Sequence, residues 1–234
     1  MASLTEHAYE KTEHARLAWM ARRQVAMETP AIVERISAIS QPEISDASYH
    51  EPDQIARVGW LTAHSHGRVL DIGCGHGWPL ARYHEAPPDA LPSVGIDIDR
   101  TRVIQAKLRA YEDTGWAQHS WHCVDALCGL PFEDGAFATA WLSEVLEHNH
   151  LSDARFLIAE AIRCATSRVL ITFPNMGGVG DPYHAGDCEN ADHKWYATSD
   201  MIARILQNQP RIDKSAIGVI AAGRFRSIML DLGE

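Results

Sequence analysis

The stretch Val69-Leu70-Asp71-Ile72-Gly73-Cys74-Gly75-His76-Gly77 decides the fold, because an apolar run ends in an acid and is followed by three glycines at alternate positions. Glycines let the backbone turn sharply off a strand and let a ligand approach without meeting a Cβ atom. A helix after such a turn offers unpaired N–H groups to a carboxylate or a phosphate. The stretch therefore predicts a strand, a glycine loop and a helix that together bind a nucleotide-like cofactor.

Two more acidic residues end apolar runs further along the chain. Asp97 ends the run Ser93-Val94-Gly95-Ile96-Asp97, and Asp125 follows Trp121-His122-Cys123-Val124. An acid at the end of the second strand of a nucleotide-binding sheet can accept hydrogen bonds from both ribose hydroxyls. A dinucleotide dehydrogenase would require G-x-G-x-x-G, whereas this chain has G-x-G-x-G with an acid two residues before the first glycine. The glycine spacing therefore disfavours a dehydrogenase.

The length of 234 residues suffices for one domain with a sizeable core and is too short for two full-sized domains. Residues 1–58 lack glycine and are rich in Ala, Glu, Arg and Met, which predicts a helical N-terminal extension with an apolar stripe at Ile32, Ile36 and Ile39. This extension either covers one edge of the sheet or forms a lid over the active cleft. Residues 59–234 are predicted to form the cofactor-binding domain.

From Arg68 onward, short apolar runs alternate with helical patterns. This alternation predicts an α/β fold with a doubly wound, mainly parallel sheet and helices on both faces. Strands are predicted near 68–72, 93–97, 119–124, 137–142 and 168–173, and two final runs, 216–222 and 227–232, are predicted to close the sheet as an antiparallel pair. Ser152 and Thr198 are predicted to cap the helices that begin beside them.

Charge and composition restrict the partners. A net charge of −10 makes extended nucleic acid a poor partner, since proteins that bind a phosphate backbone normally present a basic face. No apolar run approaches membrane-spanning length and the first 20 residues lack a signal-peptide profile, so we expect a cytoplasmic protein without membrane contact. The five cysteines include no C-x-x-C pair, which predicts free thiols, with Cys74 packed rather than reactive. The oligomeric state stays open.

The order of the three acidic strand ends, followed by Leu142-Ser143-Glu144-Val145-Leu146-Glu147-His148, resembles the class I S-adenosylmethionine-dependent methyltransferases over about residues 55–234. The resemblance implies a Rossmann-like methyltransferase fold with a seven-stranded sheet and S-adenosyl-L-methionine as cofactor. It implies transfer of a methyl group to an oxygen or nitrogen of a small-molecule acceptor. A non-catalytic, cofactor-binding partner subunit is the alternative from another class.

The resemblance also implies cofactor-binding residues. Asp71 would accept from the methionine ammonium group, Asp97 would bind the ribose, and Asp125 would meet the adenine amine. The full implied set is Asp71, Gly73, Cys74, Gly75, Asp97, Ile98, Asp125, Ala126 and Ser143, in which Gly73 and Gly75 pass close to the methionine portion and Ile98 and Ala126 wall the adenine.

Titratable residues also cluster where open α/β sheets place their substrates. Glu144, Glu147 and His148 would share a helix face if a helix began at Ser143. The segment after Asn175 adds Tyr183, His184, Asp187, Cys188, Asp192 and His193, and its glycines at 177, 178, 180 and 186 predict a loop over 177–192 that orders on ligand binding. The nearby aromatics Trp141, Phe173, Trp195 and Tyr196 either stack on a flat substrate or belong to the core.

A subgroup resemblance adds a metal hypothesis. Glu144, Glu147, His148 and His193 match the pattern that the metal-dependent small-RNA 3′-terminal 2′-O-methyltransferases use to bind their metal, which would make such an RNA enzyme an alternative function. Two carboxylates and two imidazoles would favour Mg²⁺, Mn²⁺ or Fe²⁺ over structural zinc. In the broader small-molecule group the same residues brace a loop. His148 and His193 are also candidate catalytic bases, since an ordinary pKa near ~6.5 leaves a histidine largely neutral at pH 7.

Overall fold

Seven strands form one sheet in the computed structural model, which describes residues 51–84, 91–112, 119–175, 193–195 and 197–233. The strands are β1 (Val69–Ile72), β2 (Val94–Asp97), β3 (Ser120–Cys123), β4 (Phe137–Ser143), β5 (Ala165–Pro174), β6 (Ile212–Ile220) and β7 (Phe225–Leu232). Their order across the sheet is β3-β2-β1-β4-β5-β7-β6. The first five pair in parallel, whereas β7 pairs antiparallel with both β5 and β6.

Helices pack on both faces of this sheet. They are α1 (Pro52–Ala63), α2 (Trp78–His84), α3 (Arg100–Glu112), α4 (Leu151–Cys164) and α5 (Ser199–Leu206). Alternate strand residues face opposite sides, so one face buries Leu142 and Ile171 against α4 and α5, and the other buries Trp141 and Leu170 against α1 and α2. Helix α3 packs on Trp121.

The register brings the carboxyl ends of β1, β2 and β4 to one edge. Asp71 of β1 lies between Gly95 of β2 and Trp141 of β4. Because the chain runs outward from β1 in both directions, the sheet has a switch point between β1 and β4, where open α/β sheets bind ligands. The glycine loop after Ile72 therefore opens onto the place where a cofactor is expected.

The predicted fold is confirmed, including the five parallel strands and the antiparallel pair at the end. The Thr198 cap is also confirmed, because its side chain accepts a hydrogen bond from the backbone N–H of Met201. The Ser152 cap is wrong. Helix α4 begins at Leu151, two residues before the start that a Ser152 cap would give, and Leu151 packs against the core. His150 therefore occupies the cap position and Ser152 lies within the first turn.

Several expectations concern residues outside the described ranges. The apolar stripe at 32–39, the loop at 177–192 and Tyr196 belong to this set. Helix α1 runs through the predicted boundary between residues 58 and 59, and the division into an extension and a domain stays a prediction. Within the described ranges, no helix is both long and apolar enough to cross a membrane.

Candidate active site

The glycine loop is held by the neighbouring strand. The backbone N–H groups of Gly73 and Cys74 both donate to the carbonyl oxygen of Ile96, at 2.8 and 2.9 Å. Gly73 has a φ of 77°, in the left-handed region that favours glycine, and a Cβ atom there would collide with the Val145 side chain. Gly75 has a φ of 53° with no atom within 4 Å of its would-be Cβ, so the loop leaves open space at this position.

A cavity of about 500 Å³ lies beside this loop. Asp97 and Asp125 line the cavity where β2 and β3 end, and we call this side the nucleotide end because the sequence predicts the nucleotide there. Glu144, His148 and Lys194 line it on the side where β4 ends. The remaining lining residues are Ile72, Gly73, Ile96, Ile98, Arg102, Val124, Ala126, Leu127, Val145, Asn149 and Leu157. Volumes of this size are usual for small-molecule and cofactor sites.

The two acids at the nucleotide end are fixed by backbone groups. Asp97 accepts from the N–H of Gly75 and from that of Asp99, both at 2.8 Å, which ties the glycine loop to the end of β2. Asp125 caps the short turn Ala126–Cys128 by accepting from the N–H of Leu127 at 3.0 Å. Between these acids, Ile98 is 67% exposed, so the cavity presents an apolar wall to a ligand.

Five of the nine predicted cofactor residues line the cavity, namely Gly73, Asp97, Ile98, Asp125 and Ala126. The other four, Asp71, Cys74, Gly75 and Ser143, are absent from this lining. Cys74 packs among Val103, Ala106 and Trp121, and burial raises the pKa of its thiol, in agreement with the prediction that it packs rather than reacts. Gly75 contributes through its N–H bond to Asp97.

Asp71 is buried beneath the glycine loop. The residue is 1% exposed, and its Oδ2 has no hydrogen-bond partner among the described residues. Burial raises the pKa of Asp71 to about 7, although the nearby Arg57 guanidinium acts in the opposite direction. An acid in this position is therefore poised to gain a cationic partner.

Arg57 is a site residue that the sequence analysis missed. It lies on α1, is 5% exposed, and donates to the hydroxyl oxygen of Ser143 and to the Gln54 side chain. The sequence signal was its position next to Val58 and four residues before Leu61, which places it on the buried side of the helix. The sequence pattern places this stretch in the N-terminal extension rather than in the site.

The expectation of a helix beginning at Ser143 is wrong. Strand β4 continues to Ser143, and the N–H of Glu144 still donates to the carbonyl oxygen of Thr172 on β5, at 3.0 Å. This bond keeps the backbone at the sheet edge, and Glu144 then turns with a φ of 57° before the 3-10 turn Leu146–His148. Glu144 therefore faces the cavity from a left-handed conformation that non-glycine residues rarely adopt.

Three of the four predicted metal ligands converge. One ligand atom from each of Glu147, His148 and His193 lies within 4.8 Å of the others, and Glu144 stands outside this group. The backbone N–H of Lys194 donates to the carbonyl oxygen of Glu147 at 2.7 Å, which fixes the two segments relative to each other. Neither carboxylate oxygen of Glu147 has a hydrogen-bond partner in the described part of the chain.

Burial and the nearby Glu144 carboxylate raise the pKa of Glu147 well above its ordinary value, and burial raises that of Glu144 to about 7. Two adjacent carboxyl groups with raised pKa values hold on to their protons unless a cation compensates the charge of the ionised form. The pair is therefore suited to a cationic ligand.

The aromatic residues are part of the core. Trp141 and Phe173 are fully buried, so they cannot stack on a substrate in this arrangement. Trp195 packs on Phe173 with ring centroids 5.4 Å apart and donates through Nε1 to the carbonyl oxygen of Asn149. Trp195, packed on Phe173, therefore braces the loops that carry His148 and His193.

Known proteins are similar to this chain in sequence and in fold. Residues 69–167 match a family model described as a methyltransferase domain. This match and the fold support a class I S-adenosylmethionine-dependent methyltransferase. The 27-O-demethylrifamycin SV methyltransferase of Amycolatopsis mediterranei (strain S699) is 32% identical over 120 residues, which cover 51% of this chain and 42% of that relative. This methyltransferase chain thus spans about two fifths of the length of the curated relative that it matches.

Solved structures agree on the fold. The magnesium protoporphyrin IX methyltransferase of Synechocystis PCC 6803 with bound S-adenosylmethionine has a TM-score of 0.57 and 20% identity, over 85% of this chain and 88% of that chain. The [4+2]-cyclase SpnF has a TM-score of 0.56 and 24% identity, over 72% of this chain and 60% of that chain. Because SpnF is named as a cyclase, similarity of fold alone does not define the reaction.

The residues present fit the cofactor of this methyltransferase family. S-adenosylmethionine carries an apolar ring, a ribose diol and a cationic methionine end. The cavity offers the exposed Ile98 for the ring, the carboxylate of Asp97 for the diol and that of Glu144 for a cation. The buried, unpartnered Oδ2 of Asp71 adds a second acid beneath the loop.

Proposed function

We propose that this protein transfers the methyl group of S-adenosylmethionine to an oxygen or nitrogen of a small-molecule acceptor. The observation that carries the proposal is that one cavity contains both the acidic nucleotide end at Asp97 and Asp125 and the polar end at Glu144 and His148. A cofactor and an acceptor bound in that cavity would lie next to each other. The name of the curated relative, a methyltransferase of 27-O-demethylrifamycin SV, supports a small-molecule acceptor.

The protein's own residues need to orient the reactants and accept one proton. The bound cofactor supplies an activated methyl group on a sulfonium. Holding the acceptor in line with that group accounts for much of the rate in such reactions. We propose that His148 accepts the proton that the acceptor's oxygen or nitrogen loses when it is methylated. His148 lines the cavity, and the centroid of its ring lies 4.8 Å from that of His193. Histidine suits this step, because a neutral imidazole has one unprotonated ring nitrogen that can accept a proton.

A methyl-transfer assay tests the proposal. The full chain is incubated with methyl-labelled S-adenosylmethionine and, separately, with a pool of small metabolites or with short RNA. We expect label in the small-molecule fraction, and a large loss with His148→Asn but not with the control His66→Asn, which precedes β1 and does not line the cavity. Label in RNA would instead favour the RNA 2′-O-methyltransferase, which the net charge of −10 disfavours.

Cofactor binding without transfer to either pool would favour the non-catalytic partner subunit. One solved structure of this fold is a complex of a methyltransferase with the Trm112 methyltransferase activator of Haloferax volcanii, at 14% identity and a TM-score of 0.60. That complex is a property of that protein. Calorimetry with S-adenosylhomocysteine would establish binding independently of turnover.

As an alternative to the base role of His148, we propose that Glu147, His148 and His193 bind a divalent cation. The supporting observations are their mutual proximity and the buried, unpartnered carboxylate of Glu147. Two imidazoles and one carboxylate are typical ligands of Fe²⁺ and Mn²⁺. Glu144 is left out of this set because it stands outside the group. If no cation binds, the three residues brace the loop.

Metal analysis separates these two roles. After equilibration with Mn²⁺ and gel filtration, we expect about one equivalent in the wild-type chain and a loss of most of it in Glu147→Gln, because ligands that share an ion lose it together. Glu133→Gln, at an exposed carboxylate on the loop before β4, is the matched control. No retained Mn²⁺ or Fe²⁺ in the wild-type chain would contradict the metal site and leave the bracing role.

A further inference from the structure

Arg57 connects a helix outside the matched methyltransferase segment to the acidic edge of the sheet. Helix α1 precedes residue 69, where the family match begins. The guanidinium of Arg57 is held in place by the Gln54 side chain, through bonds of 3.0 and 2.8 Å, and lies 5.6 Å from the ring centroid of Phe225. A charged group that is buried in this way has few alternative conformations.

From Arg57 a directional chain of hydrogen bonds leads to Glu144. A guanidinium has no acceptor, so Arg57 must donate to the hydroxyl oxygen of Ser143. The Ser143 hydroxyl lies 2.9 Å from that of Thr172, and it can donate there because its own oxygen already accepts from Arg57. The Thr172 hydroxyl can then donate towards Glu144, and its effect is to lower the pKa of that carboxyl group. Each donor thus strengthens the next.

The same cation faces the buried acids beneath the cavity. Arg57 lowers the pKa values of Asp71 and Glu144 against the larger effect of burial. Asp97 from β2 is the other charged group that acts on Asp71, and it acts in the opposite direction. Removing Arg57 would therefore leave buried carboxylates without a compensating charge.

We infer that Arg57 is a positioning residue, which acts through Ser143 and Thr172 on Glu144 at the cavity wall and balances the charge of Asp71 and Glu144. Helix α1 is then part of the active site rather than a cover. This inference rests on the proposed function for its role in the reaction. The hydrogen-bond chain and the charge balance are properties of the protein without ligand.

Three variants of the full chain test the inference. Arg57→Met removes the charge and the donors at similar length, and Arg57→Lys keeps the charge without the planar fork. Arg224→Met is the matched control, because Arg224 contacts Asp53 of the same helix at 3.7 Å, at an exposed position. The melting temperature is measured at about pH 6 and about pH 8.5, on either side of the Asp71 pKa of about 7.

We expect the melting-temperature deficit of Arg57→Met to be greater at the higher pH by at least about 3 °C, because Asp71 must then ionise without its cation. A purely structural role would give the same deficit at both values. Arg57→Lys should recover part of the difference, and Arg224→Met should show none. A pH-independent deficit in Arg57→Met, or an unchanged melting temperature, would overturn the inference.

Calorimetry with S-adenosylhomocysteine gives the second measurement. We expect Arg57→Met to bind at least about tenfold more weakly than the wild-type chain, with partial recovery in Arg57→Lys. Wild-type affinity in Arg57→Met would overturn the role in the site. If the wild-type chain itself does not bind, the proposed function fails, whereas the pH-dependent melting temperatures still decide the charge balance at Arg57.

Discussion

At the scale of single residues, the glycine loop shows two different uses of one amino acid. Gly73 needs glycine for two reasons, because its φ is 77° and its would-be Cβ collides with Val145. Gly75 needs glycine for its φ of 53° alone, since no atom lies within 4 Å of its would-be Cβ. The sequence spacing predicts a glycine requirement at both positions equally. Only the packing of Val145 makes the requirement stricter at Gly73 than at Gly75.

Alanine at the two positions should therefore have unequal effects. Gly75→Ala should cost about 1–2 kcal/mol of unfolding free energy, which is the penalty for a left-handed alanine. Gly73→Ala should cost more, by about 1–3 kcal/mol for overpacking. Urea denaturation of both variants measures the difference, and equal losses would mean that Val145 moves aside without cost.

Asp97 is the residue whose loss should affect cofactor binding most directly. Both of its carboxylate oxygens accept backbone N–H groups, so an asparagine can replace only one of these acceptors. We expect Asp97→Asn to weaken S-adenosylmethionine binding by about ten- to a hundredfold, as for loss of a hydrogen bond to a charged group. Calorimetry is the measurement, with the exposed Asp213→Asn as control. Unchanged affinity in a folded Asp97→Asn would place the nucleotide elsewhere.

At the scale of elements, the sequence predicted those features that depend on local pattern. Strand periodicity and the acids at the carboxyl ends of β1, β2 and β3 are local features, and the fold confirmed them. The start of α4 and the conformation of Glu144 depend on contacts between distant segments, namely the packing of Leu151 and the bond from Glu144 to Thr172. Arg57 was missed for the same reason, since its partner Ser143 is far along the chain.

The two predicted helix caps provide an experimental contrast. Thr198 accepts from the Met201 N–H at 3.2 Å, and Thr198→Ala should lower the unfolding free energy by about 1 kcal/mol. Ser152 lies inside the first turn of α4, and its hydroxyl contacts only Asp153 among the described residues. Ser152→Ala should therefore stay within about 0.5 kcal/mol of the wild-type chain. Chemical denaturation of both variants distinguishes them, and equal losses would contradict the start of α4 at Leu151.

At the scale of the whole molecule, acidic charge is concentrated where the cofactor is expected. The chain has a net charge of −10, and Asp71, Glu144 and Glu147 are acids with raised pKa values near one edge of the sheet. Such an edge attracts a cationic ligand and is destabilising when that ligand is absent. Stability and binding are therefore coupled through the same carboxyl groups.

This coupling predicts a pH dependence of stability. The folded pKa of Asp71, about 7, exceeds its ordinary value of 3.8, so between these values the folded state binds more protons than the unfolded state. Stability from this group is complete below the lower value and is lost as the pH rises towards the folded pKa, at up to about 1.4 kcal/mol per pH unit. Above about pH 7 the loss levels off, because both states are then ionised.

Asp71→Asn isolates this contribution, because the amide has the shape of the acid without its titration. We expect the urea midpoint of the wild-type chain to fall from about pH 5 to about pH 7, and the fall to be smaller in Asp71→Asn whatever the absolute stability of that variant. Glu144 continues to titrate in both proteins, so a residual slope in the variant is expected. Parallel curves would show that Asp71 is already ionised at pH 5, and hence that Arg57 outweighs burial at this site.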